Sequence, residues 1–77
     1  MGCQPMGETA MVEIVVNGEP RAVRRGSTVA SLMEELALDA ERVAVELDRR
    51  IVRRGEWDRA ELAEGARLEI VVFVGGG

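Results

Sequence analysis

The chain has no histidine, no tyrosine and no lysine, and its one cysteine is Cys3. Each absence removes a class of function. A cysteine or serine nucleophile usually works with a neighbouring base, most often histidine. A zinc site needs four spaced Cys or His ligands, so none is expected. One cysteine forms no internal disulfide, which fits a reducing cytoplasm better than a stapled secreted domain. No apolar run approaches the ~20 residues that span a bilayer. Residues 1–10 carry neither a basic n-region nor an apolar h-region, and Met6 stands where myristoylation requires Ser or Thr. A net charge of −4 argues against a dedicated nucleic-acid binder. At 77 residues there is room for one domain. A domain so small buries only roughly 60% of its unfolded surface, which leaves little space for an enclosed active site. The expectation is a cytoplasmic protein that is not an enzyme, binds no metal or cofactor, and works with neither nucleic acid nor membrane.

All ten basic residues are arginine. Codon bias in a G+C-rich genome, or a hot habitat, is the favoured explanation. A second is chemical: a chain with an activated acyl end is spared attack by its own lysine amines.

What is present reads as one α+β domain. Residues 1–10, with Gly2, Pro5 and Gly7, show no periodicity and are expected to be a disordered leader, with the folded domain at 11–74 and a flexible tail at 75–77. Met11 to Val16 alternates, with Val12, Ile14 and Val16 on one face. Asn17-Gly18 accepts positive φ at both residues and so predicts a tight hairpin. Glu19 to Arg25 returns as a strand, and Pro20, lacking an N–H, places it at a sheet edge. Ser27 or Thr28 caps a helix over about 29–38, whose apolar stripe is Val29, Leu32, Met33, Leu36 and Ala37. Val43 to Leu47 is a third strand, residues 48–50 a turn, Ile51-Val52 a short fourth strand. Residues 53–64 are polar, with Trp57 and Leu62 as anchors. Leu68 to Phe73 is the last strand, with Leu68, Ile70 and Val72 facing inward. The order β-β-α-β-β-β gives a mixed sheet of about five strands with one helix across one face.

Three features bear on function. The chain ends Gly75-Gly76-Gly77. Terminal glycines alone read as a frayed end or a cloning scar, but these follow directly on the last strand. Residues 74–77 in extended form reach roughly 14 Å beyond the body, thin enough for a narrow channel in a partner. The reactive group is then the α-carboxyl of Gly77. As an anion at pH 7 it is a poor electrophile and requires activation, for example as an acyl-adenylate made with ATP. The second feature is Val15, Val71 and Phe73, which alternation turns outward. They make an apolar patch near the tail if the first and last strands are neighbours, and otherwise are scattered surface residues. The third is the run Arg49, Arg50, Arg53 and Arg54. A solvated loop is favoured over a phosphate or RNA patch, with Arg53 or Arg54 docking an acidic partner as a milder reading.

Taken in order, several landmarks resemble the thiamine-biosynthesis sulfur carrier family (ThiS-like), which has the ubiquitin-like β-grasp fold. They are Asn17-Gly18, Gly26-Ser27-Thr28-Val29 before a Leu-rich helix, Val43-Ala44-Val45-Glu46, Ile51-Val52 with Arg54, Trp57, Gly65, and the ending from Glu69 through Phe73-Val74 to Gly77. The resemblance spans nearly the whole chain. It implies that a ubiquitin-activator-like adenylyltransferase, consuming ATP, adenylates Gly77. A cysteine-desulfurase relay then supplies sulfur to form a thiocarboxylate, and thiazole synthase takes that sulfur into the thiazole ring. It also implies a docking face of Val15, Val71, Phe73 and Val74, with Arg54 beside it, and the first and last strands side by side. Arg53, Ala66 and Asp48 depart from residues frequent in the family, all in turns. Other readings are the small subunit of molybdopterin synthase, a carrier for tRNA thiolation or protein conjugation, and a β-grasp interaction module without tail chemistry.

Overall fold

A computed structural model describes residues 11–73. Strands β1 (Met11–Val16), β2 (Glu19–Arg24), β3 (Val43–Leu47), β4 (Arg50–Val52) and β5 (Arg67–Val72) form one mixed sheet in the order β2-β1-β5-β3-β4. β1 and β5 run parallel, and every other neighbouring pair is antiparallel. The last strand is therefore central, and β2, carrying Pro20, is an edge. Both the strand set and the single helix match the sequence expectation.

Helix α1 (Val29–Glu35) lays Val29, Leu32 and Met33 into a core shared with Val12, Ile14, Val23, Val45, Leu68 and Ile70. Its start is fully bonded. Thr28 Oγ1 accepts the Ser31 N–H, and Ser31 Oγ accepts the Thr28 N–H, a capping box built with serine. The next free donors are met from across the fold: the Val29 N–H bonds to the Ala60 carbonyl and the Ala30 N–H to the Trp57 carbonyl. The polar 53–64 segment thus has a second task that its composition does not advertise. Trp57 is 5% exposed and Leu62 1%, and the indole Nε1–H donates to the Val52 carbonyl at 3.0 Å.

The helix stops short of the expected 38. Ala37 takes a left-handed φ of 57°, its N–H bonds to the Glu34 carbonyl and the Leu38 N–H to the Met33 carbonyl. That is a Schellman ending, with alanine where glycine is usual. Leu36 and Leu38 still pack on the core, but through this cap rather than another helical turn, and Ala37 itself is exposed.

Both hairpin turns clamp β5. Asn17 (φ 52°) and Asp48 (φ 51°) each begin a turn with left-handed backbone. The Asn17 side-chain amide accepts the Ile70 N–H at 2.8 Å and donates to the Ile70 carbonyl at 3.2 Å. It stands in for one more residue of β1. On the other side the Arg67 N–H donates to Asp48 Oδ1 at 3.0 Å, and the Asp48 N–H to the Arg67 carbonyl at 2.8 Å. The Asn17→Ala variant leaves two partly buried backbone groups of Ile70 unpaired, so a loss of about 2 kcal/mol in urea denaturation is expected. Faster amide exchange at Ile70 should accompany it. A change below about 0.5 kcal/mol, within the range of ordinary surface substitutions, contradicts the clamp.

Candidate functional site: the end of the last strand

The proposed reactive end, Gly75, Gly76 and Gly77, and Val74 before it, lie outside the described residues, as do residues 1–10 with Cys3. The structure does define the ground from which that tail leaves. On β5, backbone direction alternates. The Phe73 N–H bonds to the Arg42 carbonyl at 2.7 Å, on the β3 side. Ile70 faces the β1 side, where the Asn17 amide meets it. By the same alternation the N–H and C=O of Val72 face the β1 side, past the point where β1 has turned away. Among the described residues, the strand therefore reaches its end with one edge open.

The side chains there are apolar on both faces. Val71 is 53% exposed, Val72 47% and Phe73 57%. Val72 was expected to be buried with Leu68 and Ile70. It is not, because β5 runs on past the end of β1, and nothing among the described residues covers the inner face there. The expected continuity with Val15 also needs correcting. β1 and β5 are neighbours, but the register sets Val15 level with Arg67. That is four residues, roughly 13 Å, from Val71. Val15 is half-buried, and Glu69, directly opposite Glu46 on β3, lies between. The exposed apolar surface is thus a collar of Val71, Val72 and Phe73 at the root of the tail.

Arg54 lies at this end too. Its Nη1 is 3.7 Å from Glu41 Oε2, in the 3-10 turn Ala40–Arg42 whose last carbonyl holds the Phe73 N–H. Both partners of that ion pair are largely exposed, so it contributes little to stability. Among the described residues no cluster of His, Cys, Asp or Glu is set to hold a metal, and no helix is long and apolar enough to cross a membrane.

A small mixed sheet with one helix across it and a central last strand running out into a glycine tail defines a ubiquitin-like β-grasp domain. Residues 14–77 match the ThiS family, and the chain belongs to it. Its fold is similar to a solved thiamine biosynthesis protein (ThiS) from Geobacter metallireducens, with a TM-score of 0.74 and 32% identity, covering 86% of this chain and all of that one. Two proteins named thiazole synthase also match. One, from Paramagnetospirillum magneticum, is 39% identical over 66 residues, which is 86% of this chain and 20% of that protein. The other, from Magnetococcus marinus, is 38% identical over the same share of each. The chain spans about a fifth of the length of these two relatives.

Proposed function

We propose that the protein is a sulfur carrier for thiazole formation in thiamine biosynthesis, with the Gly77 carboxylate as the carrying group. The observation that carries this reading is the last strand. Residues of a ThiS-family chain lead from a clamped core strand into three glycines, with an open backbone edge and an apolar collar where the tail begins. In this scheme an adenylyltransferase joins the carboxylate to the α-phosphate of ATP and releases pyrophosphate. The persulfide sulfur of a cysteine-desulfurase relay then displaces AMP from the activated carbonyl to give an acyl disulfide, and a second thiol attacks the relay's sulfur, forming a disulfide and releasing the thiocarboxylate. Glycine presents the least hindered carbonyl for both steps. In this scheme the partner enzymes bind the ATP and catalyse both steps, and the domain is their co-substrate.

Thiazole synthase as the acceptor is supported by the two relatives of that name, which carry a segment similar to this chain within one polypeptide. Covalent joining raises the effective concentration of one module near the other, which is useful where the two must meet. That support favours thiazole formation over molybdopterin synthesis or tRNA thiolation.

The collar is the docking surface in this reading, with Arg54 at its border. Val71→Asp combined with Phe73→Asp changes only exposed positions, so thermal stability should stay nearly constant. The concentration of carrier needed for half-maximal ATP-dependent activation should rise at least about tenfold, the loss of one good apolar contact. Unchanged activation kinetics would remove the collar from the account and leave the tail chemistry standing.

A further inference from the structure

The far edge of the sheet carries a second surface that tail chemistry does not use. Strand β4 is three residues long and, among the described residues, pairs only with β3. Leu47 and Arg50 flank the two-residue turn at Asp48 and Arg49, so they are a hydrogen-bonded pair, and Val45 with Val52 is the next. Between them Ile51 points its N–H and C=O away from β3, along the open edge. Its side chain is 73% exposed, the highest among the exposed large hydrophobic residues described. Beside it runs a groove lined by Leu47, Ile51, Val52 and Ala60, with Arg50, Arg59 and Glu56 at its margins. Leu47, Val52 and Ala60 are half-buried and form its apolar floor.

The charge around this edge selects its occupant. Arg49, Arg50, Arg53 and Arg59 make no ion pair among the described residues, whereas Arg54 is held by Glu41. A second copy of the chain is a poor fit. Antiparallel self-pairing centred on Ile51 sets Arg49 against Arg53 twice, and parallel pairing sets each arginine beside itself. Charge on an edge strand guards against such self-association. It also favours a strand of opposite sign.

We propose that β4 docks an extended acidic segment of a partner protein. The segment adds as a sixth strand, bonded to the N–H and C=O of Ile51. One apolar side chain enters the groove over Leu47, Val52 and Ala60, and Asp or Glu residues on either side meet Arg50 and Arg59. Main-chain bonds supply affinity and the flanking charges supply selectivity.

The test titrates the full ¹⁵N-labelled chain with an acetylated, amidated peptide of sequence Asp-Glu-Val-Ile-Val-Glu-Asp, and with the same peptide bearing Lys at every acidic position. Amide shifts should centre on Leu47, Ile51, Val52 and Ala60, and hydrogen exchange at the Ile51 amide should slow on binding. Affinity should fall at least about tenfold in the double variant Arg50→Glu, Arg59→Glu, and the lysine peptide should bind more weakly by a similar factor. Absence of binding, equal binding of the lysine peptide, shifts centred on Val71 and Phe73, or a concentration-dependent dimer through Ile51 would each overturn the proposal. The assay uses neither ATP nor Gly77, so its failure leaves the carrier reading untouched.

Discussion

Deleting Gly77 is expected to abolish ATP-dependent activation, by ~10³-fold or more, while leaving the fold intact. The deletion draws the carboxylate back by about 3.5 Å, the length of one extended residue. A displacement of 1 Å in a reacting group already costs about 10²-fold where the geometry is fixed by the partner's channel. Adding one residue after Gly77 should do the same, since the carboxylate then overshoots and a Cβ enters a channel shaped for glycine. Neither change touches the core, which is built from residues between Val12 and Ile70. Pyrophosphate release with the activating enzyme reports the loss, and circular dichroism reports the intact fold. If the shortened chain is activated within about tenfold of the full one, the carboxylate is not positioned by tail length.

The largest effect on stability should come from Trp57→Ala. Burying Trp57 closes the groove between α1, β4 and the 53–64 segment, and its indole bond to the Val52 carbonyl ties that segment to β4. Its own carbonyl accepts the Ala30 N–H at the start of α1, so a shift of this residue also loosens the helix start. Truncating a buried tryptophan costs about 3–5 kcal/mol, and small domains have only about 5–15 kcal/mol in total. The melting temperature should fall by ~15 °C or more. Trp57→Phe, which keeps most of the volume and loses the Nε1–H donor, should cost about 1–2 kcal/mol. An alanine variant within about 1 kcal/mol of the parent in urea denaturation would show that the segment is a surface loop rather than part of the core.

Much of this fold is legible from local signals. Asn17-Gly18 announces the first hairpin, Pro20 the sheet edge, and Val29, Leu32 and Met33 the buried face of α1. Each depends on neighbours in sequence. The departures arise where distant residues decide. Leu36 and Ala37 extend an apolar stripe that a helix would bury equally well, so only the Ala37 backbone reveals that the helix has ended. The carbonyls of Trp57 and Ala60 cap α1 from about 30 residues away, a contact that periodicity does not register. The separation of Val15 from Val71 is a matter of register between two parallel strands, and it follows from Asn17 leaving β1 early to bond β5 through its side chain. Val72 keeps the inward phase of its strand yet is exposed, because burial also needs something lying opposite. As for the site, the glycine tail and the apolar Val71 and Phe73 are readable from the end of the sequence. The open β5 edge is not, since it exists only because the register ends β1 level with Leu68, four residues before β5 itself ends.

The most direct measurement is the intact mass of the chain after incubation with ATP, an adenylyltransferase of the ubiquitin-activator type, a cysteine desulfurase with cysteine, and a thiol reductant. The account predicts a mass increase equal to one oxygen replaced by one sulfur. It should be absent without ATP and absent in the Gly77 deletion, and it should be lost again, with thiazole product formed, when thiazole synthase and its substrates are added. An unchanged mass, with the same enzymes shown to be active on another carrier, would contradict the assignment of Gly77 as the group that carries sulfur.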